Sequence, residues 1–315
     1  QNFATTTDNY NVGVGYGAGL SITTGVENTL LGANSGDALT DTDGNVAVGT
    51  YALSTDTLGA RAVAVGHGAL LTQNFTTATN NYNVGVGHSA GRNITTADSN
   101  TLIGGLAGDA LTTGGANVAV GTNALGSDTK GVHNVAIGYQ ALDAQNFTTI
   151  TNAYNIAIGS AAGGAITTGI QNTLIGGLAG DALTDADFNT AVGYGSLGAD
   201  TQGSRSVAIG SSALGSQNFS TATDAYNVAV GVLTGASVTT GTINTLIGGL
   251  AGGSLTQGNS NTAVGYDALN AETQGDRNVA VGNAALKNQN NSTDTDSYNT
   301  AVGYYAGLSI TTGTL

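Results

Sequence analysis

Residues 13–18, Gly-Val-Gly-Tyr-Gly-Ala, satisfy the G-x-G-x-x-A pattern of a dinucleotide-binding turn, whose glycines let backbone approach a pyrophosphate. Asp41 and Asp43, and again Asp185 and Asp187, place paired carboxylates in one loop type, the hard oxygen donors that calcium takes. His67 and His88 offer imidazoles for a metal. Asp56, Asp128, Asp200 and Glu272 each precede Arg61, His133, Arg205 and Arg277 by five residues, a spacing that suits an ion pair within a loop or between chains.

Context weakens most of this chemistry. A dinucleotide turn needs a helix after it, and LSITTGVENT has no helical periodicity. The positions equivalent to the acid pairs read Thr-Gly-Gly at 113–115 and Gln-Gly-Asn at 257–259, so Asp41, Asp43, Asp185 and Asp187 are weak metal candidates, read first as solvated loop acids. The position of His67 and His88 holds Tyr16, Thr50, Ser160 or Val232 elsewhere, which makes the pair incidental and exposed. There is no Cys and no Ser–His–acid grouping. The chain is therefore expected to be no enzyme and to need no cofactor, with a carboxylate pair for glycan cleavage as a further alternative.

The elements that carry these residues are set by an internal period. An anchor, Asn in 15 of 17 cases with Ala62 and Ser206 as exceptions, is followed four residues later by an unfailing Gly. Anchors recur at spacings of 17, 17, 17 and 21, a block of 72 residues, and NTLIGGLAGDALT appears verbatim at 100–112 and 172–184. So short a strand cannot bury an apolar face alone, whereas stacked coils can. The expected fold is all-β: a parallel β-solenoid (β-roll) of about 17 coils, forming a rod on the order of 80 Å long at the strand spacing. Residues 1–315 read as one continuous array cut from a longer fibre, with 1–10 closing a preceding coil.

Within a coil, the first and third residues after the anchor (Val12 and Val14 in the first) are aliphatic or Thr and share a strand face, which is expected to be the core. Each coil then carries about three inward aliphatics, the last from position eleven where position eight is Gly, or from position eight where that is Leu. Gly15, Gly32, Gly49, Gly66, Gly87, Gly104, Gly121 and Gly138 are expected to turn the corner, where a Cβ would not fit. Asn11, Asn28, Asn45, Asn83 and Asn100 suit an amide ladder. The 21-residue coils carry QNFTTATNNYN and its relatives, so Phe75, Phe147 and Phe219 recur with Tyr82, Tyr154 and Tyr226 about every 19 Å. These aromatics either plug the larger coil or, with Arg61, Arg205 and Arg277, make a lateral contact or sugar-stacking ridge.

Composition limits partners. The net charge is −14 with six Lys and Arg, which cannot neutralise a phosphate backbone, so nucleic acid is not expected. No apolar run near 18 residues occurs, and no membrane insertion is expected within this segment. Ile-Thr-Thr at 22–24, 94–96, 166–168 and 310–312 raises ice binding, but a flat ice-matching face would want Thr in every coil.

Asn-Thr-Ala-Val-Gly at 189–193, 261–265 and 299–303, with NVAVG and NVAIG variants, resembles the head repeats of trimeric autotransporter adhesins and related repeats of bacteriophage tail fibres and bacterial surface fibres. The resemblance implies a left-handed parallel β-roll, side-by-side association of three chains, and binding to a host-surface protein or surface glycan. The coils here, at 17 or 21 residues, are longer than the roughly fourteen of those heads. The expected function is a non-enzymatic extracellular fibre segment on a cell surface or virion, spacer and adhesive surface at once, partnered by itself as a homotrimer or filament. The alternatives are a structural filament without a specific ligand and a glycan-degrading tail fibre.

Overall fold

The computed structural model describes residues 8–313, so most of the expected preceding coil at 1–10 lies outside the described residues. The described residues contain no helix. The chain is an all-β parallel β-solenoid of about 17 coils, in two compact units, Gln1–Asn155 and Ile156–Leu315, built on one plan. Eight three-residue strands, from Val12–Val14 to Val135–Ile137, stack in the first unit. Nine, from Ile156–Ile158 to Thr300–Val302, stack in the second.

Stacking is parallel and in register: Val12 lies opposite Thr29, Thr29 opposite Val46, Val46 opposite Val63. Val63 then lies opposite Val84, 21 residues on. The expansion is absorbed outside the strand, mostly in exposed Thr76, Thr77 and Ala78, before Thr79–Asn80 pairs with Gly59–Ala60. Such insertions leave the ladder intact because the loop carries no backbone group that the next coil needs.

The inward face of the strand is the opposite of the expected one. The middle residue fills the lumen: Leu30, Ala47, Ala64, Leu102, Ala119 and Ala136 are at most 1% exposed. The flanking Val, Ile, Leu and Thr point outward, with Val12 and Val14 at 52% and 55% and Ile103 at 40%. The reason is volume. A second inward residue at position eight is Leu in the third and fourth coils of each block, where the strand residue is Ala, as in Leu53 and Leu125. It is Gly in the first two, where a strand Leu or a Leu of an adjacent coil takes the space, as Leu70 and Leu102 do at Gly91. A Cβ on Gly108 would stand 2.8 Å from Leu102 Cδ2 and 2.9 Å from Leu111 Cδ1, so one coil holds only one such arrangement of side chains. Position eight is left-handed either way, at φ 54 for Leu125 and 55 for Gly108. Leucine there therefore accepts a strain of roughly 1–2 kcal/mol in return for a filled lumen.

The glycine after each strand has φ between 121 and 142 wherever it lies in the described coils, a region closed to side chains. It also meets the next rung directly: a Cβ on Gly104 would sit 2.5 Å from the Gly121 carbonyl oxygen. The neighbouring Gly105 has nothing within 4 Å of a Cβ. Gly104→Ala is expected to cost at least about 3 kcal/mol in chemical denaturation, whereas Gly105→Ala leaves the midpoint unchanged or raises it. Equal effects would remove the corner argument.

Candidate functional site

The Asn anchors build the interior edge of every coil. In Asn100, Oδ1 accepts from the Asn117 backbone N–H one coil on (3.0 Å) and Nδ2 donates to the Gly114 carbonyl near the end of the same coil (3.1 Å). Asn28, Asn45 and Asn83 do the same toward Asn45 N–H, Ala62 N–H and Asn100 N–H, while Asn11 holds Asn28 N–H. Where the anchor is Ala62, the orphaned Asn83 N–H turns to Asn81 Oδ1 at 2.9 Å.

Asp56, Asp128, Asp200 and Glu272 are fully buried and face the lumen, not the bases five residues on. Asp56 Oδ1 accepts from the Gly59 and Phe75 N–H groups, each at 3.0 Å, and Oδ2 from Gln73 Nε2 at 2.6 Å. Gln73 Oε1 in turn accepts from Asn83 Nδ2 at 2.9 Å. Asp128 with Gln145, Asp200 with Gln217 and Glu272 with Gln289 repeat the device. The glutamines were not singled out from sequence, although Gln stands at position eleven of every expanded coil. In the last block Glu272 is longer, and Asn291 replaces the Phe and donates to Glu272 Oε2 at 3.0 Å. These carboxylates thus attach the expanded coil to the coil before it.

The aromatic row divides accordingly. Phe75, Phe147 and Phe219 are 6% exposed and seal the lumen, which removes them from any lateral contact by this face of the coil. Tyr82, Tyr154 and Tyr226 stay outside on left-handed corners, each beside a base. Arg61 lies 5.8 Å from the Tyr82 ring centroid, His133 stacks on Tyr154 at 4.9 Å, and Arg205 lies 5.9 Å from Tyr226. Arg277 stands 5.5 Å from Tyr298. Arg205 and Arg277 pair with Asp224 and Asp296, nineteen residues on, because the neighbour of a coil residue is in the next coil.

Each loop acid pair fastens the preceding coil. Asp41 accepts from the Thr24 hydroxyl and Asp43 from the Val26 N–H; Asp185 accepts from Thr168 and Asp187 from the Ile170 N–H. Burial raises the Asp187 carboxyl above its usual range, against the lowering effect of the Ile170 bond. No group of three or more metal-ligating side chains occurs among the described residues. The Thr hydroxyls at position twelve are engaged too, as Thr95 and Thr112 donate to the Thr112 and Thr129 carbonyls. Residues 13–18 are a strand end and turn with no helix behind them.

The outward face of the strands packs against no other element among the described residues. In the first unit it runs through Val46, Val63, Val84, Thr101, Val118 and Val135 in one column. Val48, Val65, Val86, Ile103, Val120 and Ile137 form the other, and the second unit repeats both. No charged residue stands in either column. A sheet face turned to water ordinarily carries polar residues. No protein-family model, curated protein or solved structure matches this chain. Among the described residues, no helix is long and apolar enough to cross a membrane.

Two measurements test these assignments. Asn100→Ala leaves a buried N–H and a buried carbonyl unmatched and is expected to cost about 2–5 kcal/mol of unfolding free energy, while an unchanged denaturation midpoint would refute the ladder. The Asp143 carboxyl is raised by burial, partly offset by the Gln140 hydrogen bond. A raised folded-state value means stability is greatest below the unfolded carboxylate range and is lost as pH climbs through the folded one. Asp143→Asn should therefore raise the thermal midpoint at pH 7, with the gain vanishing on acidification; a loss at pH 7 contradicts this.

Proposed function

We propose that this chain is a non-enzymatic segment of an extracellular fibre, on a cell surface or a virion, that associates side by side with copies of itself and presents its remaining surface for adhesion. The observation that carries the reading is the outward strand face, two columns of Val, Ile, Leu and Thr in register and free of charge. Continuous apolar area of this kind marks an interaction surface in soluble proteins. A strip with a one-coil period is most closely matched by an identical strip, since the repeat of partner and face then agree from coil to coil within each unit.

The likeness of the NTAVG repeats to trimeric adhesin heads favours three chains around this face. The buried carboxylates support a role without catalysis, because their oxygens are occupied by Gly, Phe and Gln donors that hold the coils together. Carboxylates so engaged offer no free acid or base to a glycan.

The test is oligomeric state. Sedimentation equilibrium on the whole chain is expected to give a multiple of 30.7 kDa, three by the likeness of the repeats. The double variant Val86→Lys/Val120→Lys, whose side chains already point outward, is expected to give separate chains with an unchanged β-rich spectrum. A wild-type chain that stays monomeric at micromolar concentration would defeat the proposal.

A further inference from the structure

Beyond the corner that ends each strand, the first unit carries one feature that its repeats do not share. Tyr51, His67, Gly68, Leu71, Ser89 and Arg92 line an open groove of about 390 Å³, at the small end of the size range of ligand clefts. The equivalents of Tyr51 in later blocks are Asn123, Gly195 and Asp267, and those of Arg92 are Gly164, Ala236 and Leu308. The groove is therefore not a by-product of the fold. Its floor is open because Gly68 has no side chain where other blocks place Gln140, Ser212 and Ala284.

Its walls are flat rings. Tyr51 meets His67 edge to face at 6.2 Å between centroids, and His67 stacks on His88 of the next coil at 5.4 Å and 8°. Leu71 adds an aliphatic wall. At the end stands Arg92, exposed. Of the six Lys and Arg, five engage a partner through their head groups: Arg61 with Tyr82, Lys130 with the Thr148 carbonyl, Arg205 with Asp224, Arg277 with Asp296 and Lys287 with Asp267. Among the described residues the Arg92 guanidinium makes no hydrogen bond or ion pair; its charge is felt by Asp109 in the next coil. No carboxylate lines the groove, in a chain of net charge −14.

We propose that this groove binds an acidic saccharide of the uronic-acid class. The pyranose C–H face would lie on the Tyr51 ring, with the perpendicular His67 ring at its side, and its carboxylate would take the planar two-donor fork of Arg92. Arginine suits a carboxylate better than lysine would, and an isolated cation amid acids selects anions by contact instead of by long-range attraction. The proposal gives the adhesive part of the fibre reading a ligand class. It does not depend on self-association, since the lining residues lie outside the two strand columns.

The experiment is titration calorimetry of the whole chain with a hyaluronan tetrasaccharide, its methyl-esterified form and tetraglutamate. One site per chain is expected, with the ester weakened about tenfold or more, and Arg92→Ala weakened as much while Arg92→Lys recovers part. Tyr51→Ala should also lose binding, and Arg277→Ala should not. Undiminished binding by Arg92→Ala overturns the proposal, as does equal affinity for tetraglutamate, which would make the groove a site for acidic peptide. One site per 72-residue block would move binding to the Tyr–cation corners and overturn it too, and so would absence of binding. Sedimentation of the same samples separates the two readings: an assembled wild-type chain that binds no uronate removes the ligand and leaves the self-association standing.

Discussion

Every coil has to satisfy the backbone of its neighbour, and the Asn amide is what makes this possible where a strand begins. A backbone N–H enclosed in the stack has no water to turn to, and leaving it bare costs about as much as a mutation that destabilises a domain severely. Asn supplies an acceptor and a donor on one short planar group. Its Oδ1 reaches the next anchor's N–H while Nδ2 reaches a carbonyl fourteen residues along, as Asn117 does toward Asn134 and Gly131. No aliphatic residue offers both. The exceptions follow the same constraint, since Ala62 is answered by Asn81, and the Ser206 hydroxyl is taken by Gln217.

Once the rungs are fixed, the lumen allows only a few combinations of side chains. Leu at the strand excludes Leu at position eight, and the third inward position is Ile, Leu or Val in two coils of each block but acid or Gln in the other two. That polar half has a structural logic. An expanded coil brings an extra backbone donor and a Gln side chain to the interior, and the carboxylate accepts from both, Phe75 N–H and Gln73 Nε2, and from the Gly59 N–H of its own coil. Gly59 belongs to this arrangement, because a Cβ there would run into Asp56 Oδ2. The aromatic Phe75 closes what the four added residues open, and Glu272 with Asn291 is a second solution of the same volume and the same donors.

The period made the fold, the coil number and the position of the glycine legible from sequence. It did not show which strand face is inside. Alternation separates faces only when one of them is polar, and these strands are apolar on both: Val84 and Val86 outward, Gly85 and the adjacent Leu70 inward. Size is the signal that decides it, because a narrow lumen selects Ala, Gly and Leu while β-branched residues fit a broad open sheet. The Asp–Arg spacing misled for a different reason. Proximity along the chain suggested Asp56 with Arg61, but in a solenoid the neighbour sits one coil away, which is where Arg205 finds Asp224 and Gln73 finds Asp56. The Gln was read as part of a motif, and nothing in its type signalled that it would be buried.

The placement of charge also bears on assembly. Acids occupy loops and corners, such as Asp41, Asp98, Asp185 and Asp294, and the strand columns hold none. Chains of net charge −14 repel at long range, so approach through any acid-bearing face is opposed over about a Debye length. The uncharged strand columns are a surface where desolvation of Val and Ile can outweigh that repulsion, each buried aliphatic contributing roughly 1.5–3 kcal/mol. Repulsion then acts as a specificity term, disfavouring disordered clustering while leaving one registered contact available. On the proposed reading, an acidic exterior with neutral strand columns in each unit favours alignment along the coil axis, and it leaves the corners, including the Arg92 groove, in solvent.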